Sequence, residues 1–180
     1  MKKLLLAITI LLAITILFSG LVSWAQGIPL LDKVQGQRVS FTYSYSLSQK
    51  GADFQEITGG EVTVEDNAYV MEGLGIKVLS DGETRWSLDP GAREAVVETV
   101  EKEDIFTNPA LFISSYMNYM DRIKVNSQGR DNLDVTLTLD DETKARFVLK
   151  GITFKEKQGK SGFSMDEKSL SADWVVTDLR

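Results

Sequence analysis

The 180-residue chain contains no cysteine, no histidine and only three prolines. Without cysteine there is neither a disulfide nor a thiol nucleophile, so stability must come from an apolar core. Without histidine there is no histidine-based triad, and the loss of both residue types removes the usual zinc ligands. Most hydrolase mechanisms are thereby excluded. Carboxylate chemistry is still open, through Glu101, Glu103 and Asp104 and through Asp140-Asp141-Glu142. Neither run has the glycine or the spacing of a calcium loop, and both read as solvated loops. The expectation is a protein that is not an enzyme and uses no cofactor or metal. Positive charge is also scarce, with 20 basic against 26 acidic residues. Such a surface repels phosphate backbones and anionic headgroups, which argues against nucleic acid as a partner.

One long apolar run is present. Lys2 and Lys3 precede Leu4 to Val22, interrupted by Thr9, Thr15, Ser19 and Gly20, and the run ends at Ser23-Trp24-Ala25. Small residues at Ser23 and Ala25 suit a signal peptidase, so residues 1–25 are expected to be a secretory signal cleaved before Gln26. The alternative is an uncleaved anchor, since the run is long enough to span a bilayer. In either case the remainder lies across the membrane from the lysines. Residues 26–180 then form one domain with 18 basic and 26 acidic residues, a net charge of −8. With no cysteine after the signal, the domain would not itself carry an N-terminal lipid; if the signal is cleaved it is expected to be soluble, and it is expected to be a monomer.

Period-two alternation dominates this domain, which places alternate side chains on opposite faces of strands. From Arg38 to Ser48, Val39, Phe41, Tyr43, Tyr45 and Leu47 alternate with serines and Thr42. Leu133, Val135, Leu137 and Leu139 repeat the pattern before the Asp140-Asp141-Glu142 turn and a return strand near 144–150. Shorter strands are predicted at 61–65, 67–72, 76–80, 84–88, 93–100, 122–126, 152–157 and 174–177. Gly59-Gly60, Asp66-Asn67, Gly73, Asp81-Gly82 and Asp89-Pro90-Gly91 serve as turns between them. About ten strands in one domain predict a mainly β fold, a single antiparallel sheet curled into an incomplete barrel. One helix interrupts it: Asn108 is a capping residue, Pro109 sits at the first helical position, and Phe112, Ile113, Tyr116, Met117 and Met120 recur at helical spacing. This face is either a plug of ordinary core or a movable lid, methionine being suited to irregular ligands.

Three stretches carry a family resemblance. They are Leu31-Asp32-Lys33-Val34 leading into Val39-Ser40-Phe41-Thr42, Ser80-Asp81-Gly82-Glu83-Thr84-Arg85-Trp86-Ser87-Leu88-Asp89-Pro90, and Thr107-Asn108-Pro109-Ala110-Leu111-Phe112. In this order the chain resembles the LolA family of periplasmic lipoprotein carriers, and the ending from Asp173 to Arg180 is similar to that of LolA-like proteins from Bacteroidetes. The resemblance implies a LolA/LolB-like incomplete β-barrel with short helices over its concave face, enclosing an apolar cavity. It implies a periplasmic chaperone that takes acylated lipoproteins from an inner-membrane ABC release complex and passes them to an outer-membrane receptor. The cavity is expected to be lined by Phe41, Tyr43, Tyr45, Trp86 and Leu88, under a lid of Leu111, Phe112, Ile113, Tyr116, Met117 and Met120. The family's Arg-Pro pair after the second glycine-rich turn is absent, and Glu65-Asp66 stands there instead. Two other readings keep the fold: a binding module for a free lipid or another apolar ligand, and a structural envelope domain with a filled interior.

Overall fold

A computed structural model describes residues 27–100, 105–159 and 162–180. The expected signal segment and the run Glu101, Glu103, Asp104 lie outside these residues. The described chain is mainly β. Ten strands form one sheet: β1 (Gln37–Gln49), β2 (Gln55–Glu65), β3 (Ala68–Gly73), β4 (Ile76–Ser80), β5 (Thr84–Asp89), β6 (Glu94–Thr99), β7 (Ile123–Gln128), β8 (Leu133–Thr138), β9 (Thr143–Glu156) and β10 (Val175–Asp178). Their spatial order is β10-β6-β5-β4-β3-β2-β1-β9-β8-β7, so β10 and β7 are free edges and the sheet is not closed into a barrel. Nearly all neighbours are antiparallel. The exception to the expected all-antiparallel sheet is β10, which runs parallel to β6 because the chain crosses the sheet before adding its last strand.

Two glycine-bearing stretches differ from the turns and breaks read in the sequence. Gly59 and Gly60 lie within β2 rather than at a turn. A Cβ on Gly60 would run into the Glu72 carbonyl, and one on Gly73 into the Gly59 carbonyl, so these glycines allow close backbone approach between β2 and β3. The segments read as separate strands at 144–150 and 152–157 are one strand, β9. Gly151, with φ of 63°, marks a register shift in its pairing with β1. The inward positions therefore change from Ala145, Phe147 and Leu149 to Ile152 and Phe154, and the apolar face is kept.

The register divides the side chains between two faces. Phe41 pairs with Val62, Val62 with Met71, Met71 with Val78, and Val78 with Ser87. These positions share the inner face, where the main core joins Val39, Phe41, Tyr45, Val62, Val64, Tyr69, Val135, Phe147 and Leu149. Three covering pieces sit on it: Ile28 and Leu30 with the 3-10 turn η1 (Leu31–Lys33), helix α1 (Pro109–Ser115), and the 3-10 segment η2 (Tyr116–Arg122). A smaller core on the outer face holds Leu79, Trp86 and Val97, with Val70, Leu88 and Met165 against it.

Candidate functional site

The covering piece α1–η2 is built as its sequence predicts at the start and departs from it afterwards. Asn108 caps α1, its Oδ1 accepting from the Ala110 N–H at 2.9 Å and the Leu111 N–H at 3.2 Å, and Pro109 opens the first turn. The α-helical hydrogen bonds last only to Ser115. From Tyr116 the chain continues as 3-10 turns broken by a non-helical Tyr119. Long 3-10 runs are uncommon because their hydrogen-bond geometry is poor, and they mark places where a helix yields.

The expected lid residues therefore separate. Phe112, Ile113 and Tyr116 are buried on the inner face, Leu111 and Met120 are half-buried, and Met117 is exposed. The 3.6-residue period that would have turned Met117 inward ends with α1. Phe112 stacks on Phe147 with ring centroids 5.2 Å apart, and Phe147 meets Tyr45 at 5.1 Å.

The expected cavity residues also separate. Phe41 and Tyr45 are buried in the inner core and Tyr43 is half-buried beside it. Trp86 and Leu88 face the other way, into the small outer core, because Ser87 is the β5 residue that shares the face of Phe41. The Trp86 indole N–H donates to Glu167 at 3.1 Å. Phe41 and Trp86 thus cannot line one cavity on this sheet. Beneath α1 the inner face is filled by Phe112, in contact with Phe147.

Several polar contacts fasten the cover, and at its far end Arg122 Nη2 donates to the Leu139 carbonyl at 2.6 Å. The Tyr116 hydroxyl donates to the Asp32 carboxylate, which joins η2 to η1. Burial, the Asp32 hydrogen bond and the Asp32 charge all push the Tyr116 phenol far above its ordinary range, opposed by the Ile28 N–H that donates to it. Ser114 Oγ donates to the Asp66 carbonyl at 2.6 Å, tying α1 to the β2–β3 turn. Asp66 in turn pairs with Lys157 at 2.8 Å.

Two clefts lie at the margins of this cover. On one side a cleft of about 620 Å³ runs between α1–η2 and the ends of β5 and β6, with Val100, Ile105, Leu111 and Tyr119 in its wall. On the other a cleft of about 520 Å³ runs between α1–η2 and η1, with Leu31, Val34, Ile113 and Met117 in its wall. Asn67, Ser115 and Asn118 belong to both. Volumes of this size are in the ordinary range for ligand pockets. Sequence reasoning missed Asn67, Val100, Ile105 and Tyr119, which come together only through tertiary packing. The Asp140 run is accounted for by its turn: Asp140 Oδ1 accepts from the Glu142 and Thr143 N–H groups, each at 2.8 Å.

No protein-family model matches the sequence, and no curated protein matches it. Several solved structures are similar in backbone path, two of them as follows. An uncharacterized conserved protein from Thermus thermophilus aligns with a TM-score of 0.46 at 7% identity, over 84% of this chain and 96% of that one. A LolA superfamily protein from Nitrosomonas europaea aligns with a TM-score of 0.37 at 9% identity, over 84% of this chain and 100% of that one.

Proposed function

We propose that this chain is an exported, non-enzymatic carrier that shelters the acyl chains of lipoproteins in the periplasm, between an inner-membrane ABC release complex and an outer-membrane receptor. The observation that carries the reading is the open, unclosed sheet, whose apolar inner face is covered by a short, irregular segment with an open cleft along each margin. A carrier needs an apolar surface that can be uncovered. Each buried CH₂ contributes about 0.8 kcal/mol, so a sixteen-carbon chain resists leaving a membrane by roughly 12 kcal/mol. A cover built from the helical turns of α1 and η2 can lift without breaking the sheet ladder, whereas a closed barrel has no such element. The sequence resemblance to LolA carriers points the same way.

The filled space under α1, where Phe112 stacks on Phe147, favours a second reading, a structural envelope domain that needs no ligand. The two are separated by purifying the protein from a bacterial periplasm and examining the denatured sample by mass spectrometry. Acylated polypeptides recovered in near-equal amount to the protein are the expected result. A clean apoprotein that also ignores added lipoprotein would overturn the carrier reading in favour of the structural one.

A further inference from the structure

The hairpin of β3 and β4 carries a residue that its turn disfavours. Gly73 pairs with Ile76, which leaves a two-residue turn of Leu74 and Gly75 with φ of 53° and 80°. Two positive φ values in such a turn call for Asn-Gly or Asp-Gly, because a bulky side chain crowds the backbone there. The other non-glycine residues with positive φ among those described are Lys50, Asp66 and Arg93, all charged. Leu74 is also 79% exposed, more than any other large hydrophobic residue described. Two further aliphatic side chains lie at the same end of the sheet. Ile76, at the root of the hairpin, is 36% exposed, and Ile57, on the stretch of β2 that runs past the end of β3, is 54% exposed. Behind the tip Glu72 and Lys77 pair at 2.7 Å, so the root of the hairpin carries no net charge.

We infer that the Leu74 tip, with Ile57 and Ile76 beside it, is a docking element that enters the headgroup region of a zwitterionic lipid bilayer. Backbone strain and apolar exposure at one position persist where a contact outside the chain uses them. The size of the patch selects the occupant. A stable protein interface covers about 800 Å² on each partner with roughly 20–30 residues, and three side chains at a hairpin end fall far short of that. A bilayer takes in single aliphatic side chains at headgroup depth, and each one contributes by leaving water. Charge selects the lipid. Lys77 is the one basic residue of the hairpin and is already paired, Glu56 stands exposed next to Ile57, and the chain has a net charge of −6. Anionic headgroups therefore repel this end of the molecule, and aliphatic contact has to supply the attraction. The inference goes beyond the carrier reading, because it concerns the end of the sheet and not its covered face, and it needs no cargo.

The test is flotation of the protein, recovered in the soluble periplasmic fraction, with phosphatidylcholine vesicles and with vesicles that also contain phosphatidylglycerol. Leu74→Asn places in the turn a residue that accepts positive φ, so its melting temperature should match or exceed that of the wild type. A fall would show that Leu74 holds the hairpin together, and would overturn the inference. Leu179→Asn is the control, since Leu179 is 63% exposed at the opposite end of the sheet, beyond the pairing of Asp178 with Val97. The expected result is that the wild type floats with phosphatidylcholine vesicles, that Leu74→Asn partitions about tenfold or more weakly, and that Leu179→Asn behaves as the wild type does. Leu74→Trp should keep the binding, with its emission shifted to the blue and quenched by lipids brominated on their acyl chains. A wild type that does not float, or flotation that survives Leu74→Asn, overturns the tip as a docking element. Flotation confined to the phosphatidylglycerol vesicles and lost in high salt would overturn it in favour of electrostatic adsorption. A wild-type dimer that becomes monomeric in Leu74→Asn, with no vesicle binding by either, would put a second copy of the chain in the place of the membrane. The carrier reading is decided separately, by the search for acylated polypeptides.

Discussion

Phe112 shows how a single side chain can have two roles that a stability measurement and a binding measurement separate. It is fully buried and stacked on Phe147, so Phe112→Ala should destabilise the fold by about 3–5 kcal/mol, read from urea unfolding. Tyr116→Phe is a milder change that removes the hydrogen bond to Asp32 and leaves the ring in place. It should cost about 0.5–1.5 kcal/mol globally, and amide exchange should quicken in residues 109–122 while that of β9 stays unchanged. Equal acceleration in β9 would mean that the contact supports the whole domain and not the cover. On the outer face, Asp134 accepts from Arg146 Nε at 3.0 Å and from Arg146 Nη2 at 2.5 Å. The Arg146 hydrogen bonds hold the Asp134 carboxyl below its usual range, with Asn126 assisting. A depressed folded-state pKa gives stability that is present above the unfolded value and lost as pH falls through the folded one. Thermal melts between pH 5 and pH 2 should therefore show a smaller acid-induced loss in Asp134→Asn than in the wild type.

At the scale of elements, glycine positions make the sharpest prediction. Gly60→Ala and Gly73→Ala each force a Cβ into a neighbouring carbonyl, and each should destabilise the fold by roughly 1–3 kcal/mol in denaturant unfolding. The positive-φ Gly75 faces open space, and its replacement by alanine should show only the backbone cost, about 1 kcal/mol. The same glycines mark where the sequence was legible and where it was not. Strand β1 could be read almost to its ends because Val39 to Leu47 alternate without interruption, and one face of it is buried. Gly59-Gly60 looked like a turn because local freedom is all that sequence displays, whereas the approach of Glu72 that requires glycine is tertiary. Helix α1 announced its start through Asn108 and Pro109, but its change to 3-10 turns at Tyr116 has no local signal. On β5, Trp86 and Leu88 were legible as a buried pair facing one way. Their face relative to Phe41 depends on the register through β2, β3 and β4, and no property of β5 itself carries that information. The clefts were not legible for the same reason: their walls bring together Asn67, Val100, Leu111 and Asn118 from different elements.

The whole molecule is a sheet with two unlike coverings, and the outer one has its own chemistry. After β9 the chain turns onto the outer face, where the buried Glu65 carboxylate accepts the Gln158 and Gly159 N–H groups at 3.0 and 2.9 Å. Phe163, fully buried, lies under the Arg38 guanidinium at 4.7 Å from the ring centroid. Met165 and the 3-10 turn η3 (Glu167–Ser169) then close the small core over Trp86, and Arg93 pairs with Asp173 as β10 joins β6. The resulting edge is only four residues long, which limits pairing with other chains, and Val175 and Val176 stand exposed on it beside the Asp178–Arg180 pair. Because inner and outer cores lie on opposite faces, the outer strap should be removable without lifting the inner cover. Ending the chain after Gly159 should lower the melting temperature markedly, since Phe163 alone contributes about 1.5–3 kcal/mol by burial. Trp86 emission should shift to the red as its Glu167 partner and Met165 are lost. Amide protection of Phe112 and Ile113, measured below the new melting temperature, should survive. Its collapse would show instead that the strap sets the curvature on which α1 sits, and would make the C-terminal arm a part of the lid.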